Sequence, residues 1–233
     1  MLLKAMDFIL QGITEAFRLL FAGDQETFSA VAATLKVSGL SMAASLAVGI
    51  PLGFALGYIR FPGRRQIRLV VDTLLSLPTV FIGLMVYALI SSKGPLGEMG
   101  LLFSLPGIAI GQTILALPIV IALSATAVES LETGLRTTLL SLGAGRYQMM
   151  ASTLWEARHA ILAAALTAYG RVMTEVGISM MVGGNIKWHT RTITTAIALE
   201  TNKGKFAMGI ALGLVLLIIA FAVNAGVSFL RKK

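Results

Sequence analysis

Arg171 and Glu175, four residues apart in GRVMTEVG, are the charged pair best placed to do chemistry in this chain. On a continuous helix that spacing puts both side chains on one face, within reach of each other. A single charge at the centre of a membrane helix costs roughly 2.5–3.5 kcal/mol on insertion scales. Both are therefore expected to face the protein interior, paired or beside a water-lined cavity. Two roles stay open on the residues alone. The pair lines a transport pathway, or it is an ion pair that fastens one helix to its neighbours.

A second candidate lies in residues 129–159, a long stretch of mixed charge. Within it, SLGAGRYQMMASTLWEARHAIL places a glycine-centred turn (Gly143, Gly145) before a helix. On a cytoplasmic face such a segment can dock in the cleft of a partner protein; the alternative is a long amphipathic loop.

Other chemistries are excluded. With no cysteine there are no disulfides, thiolate metal sites or cysteine nucleophiles. His159 and His189 are far apart and fit no metal-ligand spacing. Neither histidine stands in a motif that activates a hydroxyl. No Gly-x-x-x-x-Gly-Lys-Ser/Thr phosphate loop occurs, because Gly204-Lys205 is followed by Phe206. No catalytic residue, resident metal or cofactor is expected. If ATP drives this protein, the ATPase is a separate chain.

The elements that must hold these residues follow from composition. Of 233 residues, 56% are apolar and 13% charged, with mean hydropathy +0.85. Soluble domains carry about a quarter charged residues, so too few remain here to coat a water-facing surface. A helix needs about 20 apolar residues to cross about 30 Å of hydrocarbon. Five stretches qualify: 37–59, 67–90, 105–128, 160–182 and 206–230. Residues 1–28 carry Lys4, Asp7, Glu15, Arg18, Asp24 and Glu26, with Ile9, Ile13, Phe17 and Leu20 at helical spacing. That pattern predicts an amphipathic helix in the membrane interface, the alternative being a sixth span, which the frequent charges disfavour. The fold expected is all-α integral membrane, an N-terminal segment at 1–28 and a membrane domain at 29–233.

The net charge of +8 is not interleaved with aromatics as a nucleic-acid surface would be. It sits at the ends of apolar blocks, as membrane anchoring requires. With the C-terminus cytoplasmic, residues 60–68, 129–159 and the tail place ten Lys/Arg inside against eight outside. The densest clusters then fall inside and the N-terminus outside, although charge counting alone leaves both orientations open. Gly49, Gly53 and Gly57 form a small-residue ridge, as do Gly209 and Gly213, for close helix packing within the chain or against a second copy. Pro51, Pro78 and Pro118 are expected to kink their spans. Within 183–205, TITTAIALE reads as a short helix.

The segment around Gly143-Ala144, preceded by Leu142 and followed toward its apolar end by Leu154, resembles the coupling segment of permeases in ATP-binding-cassette importers. Thr137 and Glu156 depart from that pattern, where Glu and Pro are usual. GRVMTEVGISMMVGGN (170–185) resembles the corresponding segment of molybdate, sulfate and tungstate permeases through Arg171, Glu175, Gly177, Gly184 and Asn185. Thr174 replaces a common Gly. The following KWHTRTITTAIALETNKG is similar to the tungstate branch.

The resemblance implies the type I importer permease architecture, with a cytoplasmic coupling segment at 134–158. It implies a homodimer, two cytoplasmic ATPases docking on Leu142, Gly143, Ala144, Gly145, Arg146 and Tyr147, and an external binding protein that delivers tungstate. A tetrahedral dianion needs hydrogen-bond donors and modest positive potential along its path. Arg171, Glu175, Thr190, Thr192, Thr194 and Thr195 are the residues assigned to it; the alternative for the threonines is a solvated or interfacial face. Other readings are a molybdate or sulfate permease of the same architecture and a stand-alone secondary transporter, although no internal repeat is evident. A membrane enzyme would have only Asp72 and Glu175 as acid groups, on different spans.

Overall fold

Apolar blocks longer than the hydrocarbon layer dictate helices, because in lipid every backbone N–H and C=O must be paired within its own segment. The computed structural model describes the backbone of residues 2–231, and the side chains of these except 2–8, 19, 20, 132, 133, 136 and 227–231. Lys4, Arg136 and the Arg231-Lys232-Lys233 tail, used in the charge count, lie outside the described side chains, as do Asp7 and Leu20 of the N-terminal segment.

The described residues form α1 (Leu2–Phe21), α2 (Gln25–Tyr58), α3 (Arg64–Leu74), α4 (Thr79–Ile90), a 3-10 turn at Gly97–Met99, α5 (Leu105–Glu129), α6 (Glu132–Ser141), α7 (Arg146–Met173), α8 (Gly177–Gly183), α9 (Ile193–Asn202) and α10 (Phe206–Arg231). Among them α2, α5 and α10 are long and apolar enough to cross a membrane alone. The count rises to five if the pairs α3–α4 and α7–α8 are each one broken span. The short helix expected in TITTAIALE is α9.

The chain divides into two compact units. The first holds Met1–Leu40, Thr79–Gln112 and Val172–Lys233, the second Ser41–Pro78 and Thr113–Arg171. In the first, α1 runs along α10. Small residues allow the approach: a Cβ on Gly12 would stand 2.5 Å from Cγ2 of Ile210. Ala16 joins Ala30, Ile193, Ala196, Ala211, Leu212 and Val215 in one buried cluster. Ile9, Ile13 and Phe17, the apolar stripe read from the sequence, point away from that cluster and are exposed. In the same unit α4 packs on α8, with Gly83 against Met181 and Ile178.

The second unit explains the glycine ridge. Gly49 abuts Val120, Gly53 abuts Ile121 and Ser124, and Gly57 abuts Ala125 and Val128, so α2 and α5 meet nearly backbone to backbone. The ridge serves packing within the chain rather than contact with a second copy. In lipid, burial of apolar surface gives no drive for helices to associate, and such close van der Waals packing supplies it. Arg64 finishes α2: its guanidinium donates to the carbonyls of Leu56 (2.7 Å) and Gly57 (2.8 Å) and to Oε1 of Glu129 (2.8 Å).

Two expected spans are not continuous. Residues 67–90 break at 75–78. There the N–H groups of Leu75, Ser76 and Leu77 bond carbonyls three residues back, tightening the end of α3. Leu77 precedes Pro78, which biases it away from helix. Residues 160–182 break at 174–176. By contrast α2 continues through Pro51, and α5 through Pro118.

Candidate functional site

The break between α7 and α8 places Glu175 outside both helices. Arg171 stays exposed on the last turn of α7, while Glu175 is 2% exposed. α7 ends at Met173, so Glu175 lies beyond the continuous helix on which the four-residue spacing was read.

Glu175 instead organises the start of α8. Its Oε1 accepts the N–H of Ile178 at 3.1 Å, one of the donors a helix N-terminus leaves without an intrahelical partner. Its carbonyl accepts from Oγ of Ser179 (3.3 Å) and Oγ1 of Thr194 (3.0 Å). Nε2 of Gln112, buried in α5, donates to Oγ of Ser179 at 3.4 Å. Gly177 leaves room for this arrangement: a Cβ there would lie 3.1 Å from both Oε1 of Glu175 and Oγ1 of Thr79. The result is a buried polar string in the first unit, running from Gln112 through Ser179 and Glu175 to Thr194.

The four threonines belong to the same interior and are between 0% and 5% exposed. The reading of a solvated threonine face is thus overturned. Thr192 is the N-cap of α9, and a capping box joins it to Thr195. Oγ1 of Thr192 and Oγ1 of Thr194 lie 2.9 Å apart. The N–H of Ile193 donates to Oγ1 of Thr34 at 2.9 Å, tying α9 to α2. Thr190 closes the turn after α8 by donating to the carbonyl of Gly183 and accepting from the N–H of Ile186 (3.1 Å). A hydroxyl is cheap to bury only when hydrogen-bonded, and each of these is.

Two features were not read from the sequence. Glu26, in the first turn of α2, receives Arg191 on Oε1 and Nζ of Lys187 at 2.7 Å on Oε2. Arg191 also holds Oδ1 of Asn185 at 3.2 Å, and Asn185 sits at φ 52°, a left-handed conformation that Asn tolerates. Gln112 could have been found, since it is a lone amide in an uncharged apolar block. Nothing local pairs Glu26 with residues more than 160 positions on.

The turn expected around Gly143 is present between α6 and α7. Gly143 adopts φ 75°. Its N–H bonds the carbonyl of Leu140, and that of Ala144 bonds the carbonyl of Leu139, both at 3.0 Å. This is the Schellman pattern, which favours glycine at this position. The N–H of Gly145 then donates to Oε1 of Gln148 at 2.8 Å, starting α7. Leu142 and Tyr147 are 76% and 84% exposed. A rigid knuckle with apolar side chains in the open suits docking.

Residues 49–233 match the family described as the inner membrane component of binding-protein-dependent transport systems. The chain belongs to this family. The tungstate uptake system permease protein TupB of Campylobacter jejuni is 50% identical over 219 residues, covering 94% of this chain and 92% of that protein. TupB of Peptoclostridium acidaminophilum is 36% identical, covering 98% of this chain and all of the relative. A crystal structure of a bacterial ABC transporter involved in the import of the acidic polysaccharide alginate superposes with a TM-score of 0.73. It covers 100% of this chain and 90% of that one at 19% identity, a likeness of fold alone. As an inner membrane component, the chain is a multi-pass membrane protein with the fold of type I importer permeases.

Proposed function

We propose that this chain is the permease subunit of an ATP-binding-cassette importer for tungstate. The observation that carries the reading is the 50% identity to the Campylobacter jejuni tungstate permease across 94% of the chain. Two copies form the pathway, and an external binding protein delivers the oxyanion. Two cytoplasmic ATPases dock at Leu142, Gly143, Ala144, Gly145, Arg146 and Tyr147. The N-terminus lies outside and the C-terminus in the cytoplasm, an orientation supported by ten Lys/Arg against eight.

The site residues divide the work. Arg171, exposed at the end of α7, offers the guanidinium that a tetrahedral dianion meets. Glu175, Thr190, Thr192, Thr194 and Thr195 serve the pathway as positioning residues, since their oxygens are engaged in fixing α8, α9 and the turn between them. A weak fixed positive charge suits a pathway that must release what it admits.

Reconstitution with the cognate ATPase and binding protein tests this. Tungstate-loaded binding protein raises ATP hydrolysis in proteoliposomes above the level with unloaded protein. Equal rates with and without tungstate, in a complex that still hydrolyses ATP, would refute the proposal.

A further inference from the structure

The first unit holds a cavity of about 380 Å³ whose lining mixes both signs of charge with an apolar wall. Two charged clusters flank it. On one side Glu26 binds Lys187 and Arg191. On the other, Glu200 holds Nζ of Lys203 at 2.8 Å and Nζ of Lys205 at 3.8 Å. With Asp24, the cavity carries four cations against three carboxylates. Between the clusters the wall is Ala30, Ala196, Met208 and Leu212.

Charge balance decides the ligand class. A site for a free anion would show a clear excess of cations, and a cation site an excess of carboxylates. Here the two nearly cancel, yet both are presented within one cavity, the arrangement a zwitterion matches. The apolar wall adds a requirement for a hydrocarbon portion. Position supplies the third constraint. Lys203 and Lys205 immediately precede the apolar span of α10, which begins at Phe206, so that side of the cavity stands at the membrane–water interface.

We propose that this cavity binds the headgroup of a zwitterionic glycerophospholipid bearing a primary ammonium, of the phosphatidylethanolamine type. The phosphate is held by Lys203 and Lys205, and the ammonium donates to Glu26 and Asp24. The glycerol and first acyl carbons lie on Met208 and Leu212. A primary ammonium has three N–H donors for carboxylates, which a quaternary choline lacks. Ethanolamine lipid is therefore preferred over choline lipid as well as over anionic lipid.

The test is native mass spectrometry of the full-length chain in detergent, offered equal amounts of phosphatidylethanolamine, phosphatidylcholine and phosphatidylglycerol. Ethanolamine-lipid adducts should exceed each of the others by about five-fold, the scale of one partly exposed ionic contact. The double variant Asp24→Asn with Glu26→Gln should abolish this preference, while Lys36→Gln, outside the cavity, keeps it. If the double variant loses helicity by circular dichroism, Asp24→Asn alone replaces it, because the asparagine oxygen still accepts the N–H of Thr27. Equal binding of the three lipids, a preference for phosphatidylglycerol, or an unchanged preference in the folded variants would overturn the assignment.

Discussion

The hydroxyl of Thr194 donates to the backbone carbonyl of Glu175 across 3.0 Å, and both residues are buried. This bond joins the start of α9 to the break before α8. It turns a stretch that reads as a polar loop into a fixed part of the first unit.

Thr194→Val keeps the shape and deletes the donor, leaving a buried carbonyl short of one partner. We expect a loss of about 1–3 kcal/mol, read as a lower midpoint in thermal unfolding of the purified chain. Thr138→Val, whose hydroxyl bonds within an exposed helix turn, is the comparison and should change little.

Glu175 separates capping from charge. Glu175→Gln retains an oxygen for the N–H of Ile178 and should keep the fold, whereas Glu175→Ala loses the cap at a cost of about 1 kcal/mol or more. Hydrogen exchange at Ile178 checks this: faster exchange is expected for the alanine variant only. Equal exchange in both would mean that the carboxylate does not hold α8.

The glycine ridge gives a sharp contrast. A Cβ on Gly53 would stand 2.7 Å from the carbonyl oxygen of Ile121, and one on Gly57 2.7 Å from that of Ala125, both immovable backbone. Gly213 has nothing within 4 Å. Gly53→Val and Gly57→Val should separate α2 from α5 and lower the yield of folded protein in membranes, while Gly213→Ala is neutral. Quantitative size-exclusion profiles of the extracted protein measure the difference.

Arg64 ties three groups together, the carbonyls of Leu56 and Gly57 and the carboxylate of Glu129. Arg64→Lys cannot reproduce a planar fork reaching all three. A loss of about 1–3 kcal/mol is expected for both Arg64→Lys and Arg64→Ala, again by thermal unfolding. Full rescue by lysine would show that charge alone matters there.

Much of this was legible in the sequence. Apolar blocks located α2, α5 and α10, because length and hydropathy suffice where a helix is uninterrupted. Gly143 and Gly145 marked the turn before α7, since backbone conformation there is set by glycine. Of the two broken spans, the bend at Leu77-Pro78 was signalled by Pro78, whereas the one at Thr174-Glu175-Val176 was not legible, because its run is apolar enough to average out as continuous helix. The i,i+4 reading of Arg171 and Glu175 assumed a helix that continues past Met173. The threonines misled for a related reason. Threonine is common on surfaces, and only the tertiary partners, such as the carbonyls of Gly183 for Thr190 and of Glu175 for Thr194, reveal these as interior.

The central claim is that this permease passes tungstate, and uptake in cells tests it most directly. A strain lacking the gene, with and without the gene restored, is given tungstate at low concentration, and cell-associated tungsten is measured by elemental mass spectrometry. Restoration should return uptake, with equal molybdate or sulfate competing weakly. Uptake that does not depend on the gene, or that sulfate abolishes at equal concentration, would contradict the account.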